Sequence, residues 1–148
     1  MKRKALLVLG LAVALTCTNV VSVYAAEGEN YSIETYSNNN NKVVATGSEQ
    51  TDITGDVSVT GNDETAVKTS DNAKVSVKGN VSADGNNTYG VRSTDNSSVS
   101  VQGNVSASGE SAEGVASRGN SSVKVSGDVT AEGGITPSGV DAVKGSSV

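Results

Sequence analysis

The side chains able to do chemistry are few in this 148-residue chain, and they recur at fixed intervals. Asp71 and Asp95 stand 24 positions apart. Stacked carboxylates of this kind would suit hydrolysis of a glycosidic bond, and a cation beside bound calcium would suit elimination. Neither arrangement is sustained, because Gly119 takes the next place in the series and Arg92 and Arg118 occupy different places in their units. Exposed carboxylates at repeated corners serve solvation and turn formation, so no catalytic residue is assigned and the chain reads as no enzyme. The chain lacks His, its one cysteine is Cys17, and it lacks the nine-residue glycine-aspartate pattern of calcium-binding β-rolls. Neither a cofactor nor a metal is expected.

Recognition chemistry is the second kind available. Tyr89 is the one aromatic inside the repetitive part of the chain and the best single candidate for a ligand contact. It lies in a segment that changes from unit to unit (Asn62 to Thr65, Asn86 to Tyr89, Glu110 to Glu113, Gly134 to Ser138) while its flanks do not. Variation held to one corner lies along one edge of a stacked structure, where contacts sit; it also arises wherever nothing constrains a loop. Asn-x-Ser/Thr sequons occur at Asn80, Asn86, Asn96, Asn104 and Asn120. They arise readily in a chain rich in Asn and Ser, and tight corners leave little room for a sugar.

The elements that must position these residues come from a 24-residue period. The units are 55–78, 79–102 and 103–126, followed by an incomplete unit, 127–148, with one inserted residue in its loop; 43–54 is a degenerate half-unit. The second and third units agree at 14 of 24 places. Low complexity rich in Gly, Ser, Asn and Thr commonly marks a disordered spacer, but a fixed period marks a stacked repeat. Each unit alternates apolar and polar residues in three short segments, as at Val81-Ser82-Ala83 and Val99-Ser100-Val101, with Gly, Asn and Asp between them. The fold class is therefore all-β: a three-sided parallel β-helix, or β-solenoid, of about four coils. Parallel crossovers favour the right hand.

Stacking aligns equivalent residues. Val57, Val81, Val105 and Val129 form one internal column, and Val75, Val99, Val123 and Val148 form another. Valine favours extended backbone and fills a narrow interior. Asn72, Asn96 and Asn120 form a polar column. Their amides either donate and accept along a ladder or serve as ordinary left-handed turn residues.

Met1 to Lys4 carry the opening positive charge, Ala5 to Leu15 are apolar but for Gly10, and small residues precede Glu27. This pattern reads as a secretory signal over 1–25 cleaved near Ala25, with a retained anchor and a Cys17 lipoprotein as rivals. The apolar run is short for a membrane span. Residues 26–42 are a disordered spacer or a weak N-terminal cap built on Tyr31, Ile33 and Tyr36. Beyond Ala25 lie eight cations and 16 acids, a net of −8, which argues against nucleic acid or an anionic membrane as partner. With no Phe, Trp or His anywhere and no Leu after the leader, a conventional globular core is excluded.

The stretches Gly-Asn-Val-Ser-Ala-x-Gly at 103–109 and Gly-Val-x-Ser-x-x-Asn-Ser-Ser-Val-x-Val at 114–125 resemble the right-handed parallel β-helix repeats of large bacterial surface proteins, the adhesin and autotransporter-passenger type. The resemblance spans 43–148. It implies a secreted or cell-surface rod, structural or adhesive, with a host or cell-surface glycan or protein as partner. A polysaccharide-active β-helix enzyme fragment and a disordered secreted spacer are the alternatives. No barrel sequence, sorting motif or lipid-anchoring signal accompanies the repeats, so a truncated product or the front of a longer protein is expected. An open last coil would expose strand edges to self-association.

Overall fold

The computed structural model describes residues 22–24, 31–36, 40–48, 50–143 and 145–148. Residues 1–21, the body of the expected leader, lie outside them. The strands are β1 (Ser22–Tyr24), β2 (Tyr31–Tyr36), β3 (Asn40–Thr46), β4 (Gln50–Thr54), β5 (Val57–Thr60), β6 (Thr65–Ser70), β7 (Lys74–Val77), β8 (Val81–Asp84), β9 (Tyr89–Ser93), β10 (Ser98–Val101), β11 (Val105–Ser108), β12 (Glu113–Arg118), β13 (Ser122–Val125), β14 (Val129–Glu132) and β15 (Ser138–Val143). From β3 onward every third strand joins the same sheet, and β2 adds to the free edge of β3. The first face is β5-β8-β11-β14, the second β2-β3-β6-β9-β12-β15 and the third β1-β4-β7-β10-β13. This is a three-sided parallel β-solenoid of about four coils.

Register follows the 24-residue period. Val81 pairs with both Val57 and Val105, and Val105 pairs with Val129. Val75 and Val123 flank Val99 on the third face, where Thr51 begins the column. Val59, Ala83, Ala107 and Ala131 follow on the first face, and two further valine-rich columns line the interior. They are Val43, Val67, Val91, Val115 and Val140 on the second face, and Ile53, Val77, Val101 and Val125 on the third. Each buried Val contributes about 1.5–3 kcal/mol of apolar transfer, which offsets the cost of ordering a short strand.

The interior is not wholly apolar. Thr69, Ser93 and Ser117 stack in register and are fully buried. The Thr69 hydroxyl donates to Ser93 Oγ at 2.9 Å, and Ser117 Oγ donates to the Ser121 carbonyl at 3.1 Å. These bonds answer the desolvation penalty of a buried hydroxyl.

Corners decide how polar columns behave. Asp71 and Asn72, Asp95 and Asn96, and Gly119 and Asn120 all have φ between 57° and 68°. Two consecutive left-handed residues make the tight turn after the second face. The amides of Asn72, Asn96 and Asn120 are exposed, and among the described residues no hydrogen bond joins one of them to the next. The ladder lies one corner on. Asp56 Oδ1 accepts from the Asn80 amide N–H at 2.7 Å, Asn80 Oδ1 from Asn104 N–H at 2.9 Å, and Asn104 Oδ1 from Asp128 N–H at 2.9 Å. Each side chain thus holds the backbone of the next coil. The preceding glycine makes this approach feasible, since a Cβ on Gly103 would stand 2.6 Å from the Gly79 carbonyl oxygen.

The two ends differ. Tyr31–Tyr36, which the sequence leaves as spacer or cap, forms β2 and runs antiparallel along β3. β1, from the segment read as leader, runs antiparallel along β4. At the β5 edge the side chain of Asn41 replaces a strand: its Oδ1 accepts from Ser58 N–H at 2.7 Å and its Nδ2 donates to the Asp56 carbonyl at 2.9 Å. At the far end the columns run out into solvent. Val129 is half-buried, Val140 is 48% exposed and Val148 47%. The extra residue of the last unit falls in the Ile135-Thr136-Pro137 loop, where the pairing offset changes from 24 to 25 as Glu113 meets Ser138.

Candidate functional site

The second face carries most of the charged and aromatic side chains that meet one another, and a local bend places them. In β9, Gly90 and Val91 are both buried, which breaks strict alternation. A Cβ on Gly90 would lie 2.6 Å from both the Gly114 carbonyl oxygen and Val105 Cγ1, so position 90 turns inward and leaves no room for a side chain, although Ala66 fills the equivalent place one coil earlier. Two inward residues in succession leave Tyr89 and Arg92 together on the outside. The Arg92 guanidinium carbon stands 5.1 Å from the centre of the Tyr89 ring, a cation–π contact.

One coil on, Glu113 is in register with Tyr89, and Ala116 with Arg92. Arg118, at the end of β12, reaches Asp141 Oδ2 at 2.8 Å and Glu113 Oε2 at 4.0 Å. Burial, and then the neighbouring Asp141 charge, push the Glu113 carboxyl above its usual range, against the pull of Arg118 and Arg92. The hydrogen bond to Asp141 pushes the Arg118 guanidinium up from its ordinary value. An open groove of about 540 Å³ follows, lined by Thr94, Asp95, Arg118, Gly119, Asp141 and Val143.

Tyr89 is therefore partnered by Arg92 and lies at the start of β9, while the groove begins past its end. Arg118 links the two regions, being near Glu113 on one side and within the groove lining on the other. The acids Asp71 and Asp95 sit exposed at left-handed corners, and Gly119 continues their column. Among the described residues, the nearest approach of two carboxylates to one cation is Glu113 and Asp141 about Arg118, which is an ion-pair network. Among the described residues no cluster of three or more metal-ligating side chains occurs. The arrangement offers guanidinium, phenol, hydroxyl and carboxylate groups on a ledge, which is chemistry for hydrogen bonding and ring stacking.

Sequence reasoning singled out Tyr89 and missed its partners. Arg92 and Asp141 share one register column with Lys68 and Ala116, but the charge in that column changes sign and lapses at Ala116, and Glu113 and Arg118 stand in other columns, so no constant residue type marks the group. The doubled inward positions at Ala66-Val67, Gly90-Val91 and Gly114-Val115 were the available signal, visible as a small residue before each valine.

Comparison with protein-family models, with curated proteins and with solved structures finds no match.

Proposed function

We propose that this chain is an exported, non-enzymatic surface protein of the adhesin or autotransporter-passenger kind. Its solenoid serves as a rod, and the ledge around Tyr89, Arg92 and Arg118 meets a glycan or protein of a cell surface. The observation that carries this reading is the division of labour along the chain. The strands hold a constant register, while the side chains that differ between coils gather on the outside of the second face. The leader-like start and the acidic balance beyond it support export and disfavour nucleic acid as partner.

The test is binding of the purified chain to an array of glycans and cell-surface proteins, with Tyr89→Ala and Arg92→Ala as variants. Binding that weakens about tenfold in either variant, with the far-ultraviolet spectrum unchanged, is the expected result. Two results contradict the reading. One is indifference of every bound ligand to both substitutions; the other is glycan turnover abolished by changing an acidic residue.

A further inference from the structure

Stacking brings equivalent places together, and among the described strand pairs one place sets two charges of the same sign in register. Lys68 of β6 stands directly beside Arg92 of β9 on the outside of the second face. Every other charged residue in those pairs meets a neutral or oppositely charged one, as Lys74 meets Ser98, Lys124 meets Ser100 and Asp141 meets Ala116. Like charges side by side on adjacent strands destabilise a sheet, and an anion lying between them relieves the repulsion.

The neighbouring cations of this face already have carboxylates. Lys42 pairs with Glu64 at 3.5 Å, and Arg118 with Asp141 at 2.8 Å and Glu113 at 4.0 Å. Among the described residues no ion pair reaches Lys68 or Arg92. Glu113 feels the Arg92 charge, but its Oε2 lies against Arg118. The Arg92 guanidinium is held instead over the Tyr89 ring, 5.1 Å from its centre, so less freedom is lost when an anion binds it. The acidic balance of the chain is weighted to another side. Strands β5, β8, β11 and β14 carry Asp84 and Glu132 and no Lys or Arg, and Asp56 and Asp128 stand at the corner before that face.

We propose that Lys68 and Arg92 bind the carboxylate of an acidic sugar, a uronic or sialic acid, beside the Tyr89 ring. This gives the ledge its ligand class and rests on the reading of the chain as a surface rod. The guanidinium donates two N–H groups in a fork to the carboxylate oxygens, and the Lys68 ammonium donates a third bond. On the side toward Lys68 the neighbour of Tyr89 in register is Thr65, short and uncharged; on the other side it is Glu113. The sugar therefore lies over Thr65, with its ring against the tyrosine. Glu64, Glu113 and Asp141 border the two cations, so a run of sulfates or phosphates would leave them for acids, whereas one carboxylate fits between them.

The test is titration of the purified chain with oligosaccharides ending in glucuronate, galacturonate or a sialic acid, each beside its counterpart with the carboxylate reduced to the alcohol. The acid forms are expected to bind about tenfold tighter than the reduced forms, a preference lost in Lys68→Gln and in Arg92→Gln with the far-ultraviolet spectrum unchanged. Arg92→Lys keeps the charge without the fork and is expected to fall between. Lys124→Gln, on the third face, removes the same charge from the chain and is expected to leave the preference intact. Binding confined to the uronates or to the sialic acid supports the proposal and names the sugar. Equal binding of acid and reduced forms overturns it, and so does a preference that survives both glutamine variants. A chain that binds only neutral glycans or proteins, through Tyr89, overturns this proposal and leaves the surface-rod reading standing. One that binds none of these overturns both.

Discussion

The two ends of the solenoid place valine in the same columns, yet those valines occupy opposite states. Val43 opens its column 1% exposed beneath the antiparallel β2, while Val140 closes the same column 48% exposed. Val57 is fully buried at the start of the first-face column and Val129 only half-buried at its end. Neither valine differs in kind, so what differs is whether something lies over it. In a solenoid each coil draws stability from its neighbours, and an end is secure only where an atypical segment replaces the missing coil. Here β2 and Asn41 do that at one end.

The contrast can be broken most strongly within a single column. Val115→Ala, in the buried middle, is expected to lose about 2 kcal/mol, from two apolar carbons and the void they leave. Val140→Ala, one coil further on, is expected to lose under about 0.5 kcal/mol. Urea melts at low protein concentration measure both, and equal losses would show that the last coil is as well covered as the rest.

The two asparagine columns give a smaller contrast. Asn104→Ala removes the acceptor that holds Asp128 N–H and is expected to cost about 1 kcal/mol. Asn120→Gly keeps the left-handed φ of 61° and is expected to stay within about 0.5 kcal/mol of the parent. A similar cost at both positions would contradict the assignment of ladder to one column and turn to the other.

The smallest effect is electrostatic. The Glu113 carboxyl is raised in the folded chain, so the fold binds that proton more tightly than the unfolded chain does. Its ionisation therefore subtracts stability as pH rises through the normal carboxylate range and beyond. Glu113→Gln is expected to raise the melting temperature slightly at pH 7 and leave it unchanged at pH 4. A lower melting temperature at pH 7 would mean that the Arg118 pairing outweighs burial.

Much of the architecture was legible because β-branched residues at a fixed period state both the strand and its register. The place of the inserted residue was legible too, since the unit lengthens only in the loop before Ser138. The ladder was not recognised. Asn72, Asn96 and Asn120 look like ladder rungs, but the next residue near that place is Gly145, and exchange of Asn with Gly marks left-handed backbone. One ladder runs from Asp56 through Asn80 and Asn104 to Asp128, where exchange of Asn with Asp marks an acceptor, and a shorter one runs from Asn62 through Asn86 to Glu110. The ledge on the second face was hidden for another reason. A period of two assumes straight strands, whereas Gly90-Val91 bends the chain and brings Tyr89 beside Arg92.

In-register parallel stacking at 24 residues is the claim on which the rest depends, and a disulfide trap tests it directly. Ser82 and Ser106 are paired neighbours on the outside of the first face. In a Cys17→Ser background, Ser82→Cys with Ser106→Cys sets two thiols on strands about 4.8 Å apart, within disulfide reach. Rapid intramolecular cross-linking is predicted, with little for Ser82→Cys paired with Ala107→Cys, whose side chains lie on opposite sides of the sheet. Equal cross-linking of both pairs, or none in the first, would contradict the solenoid.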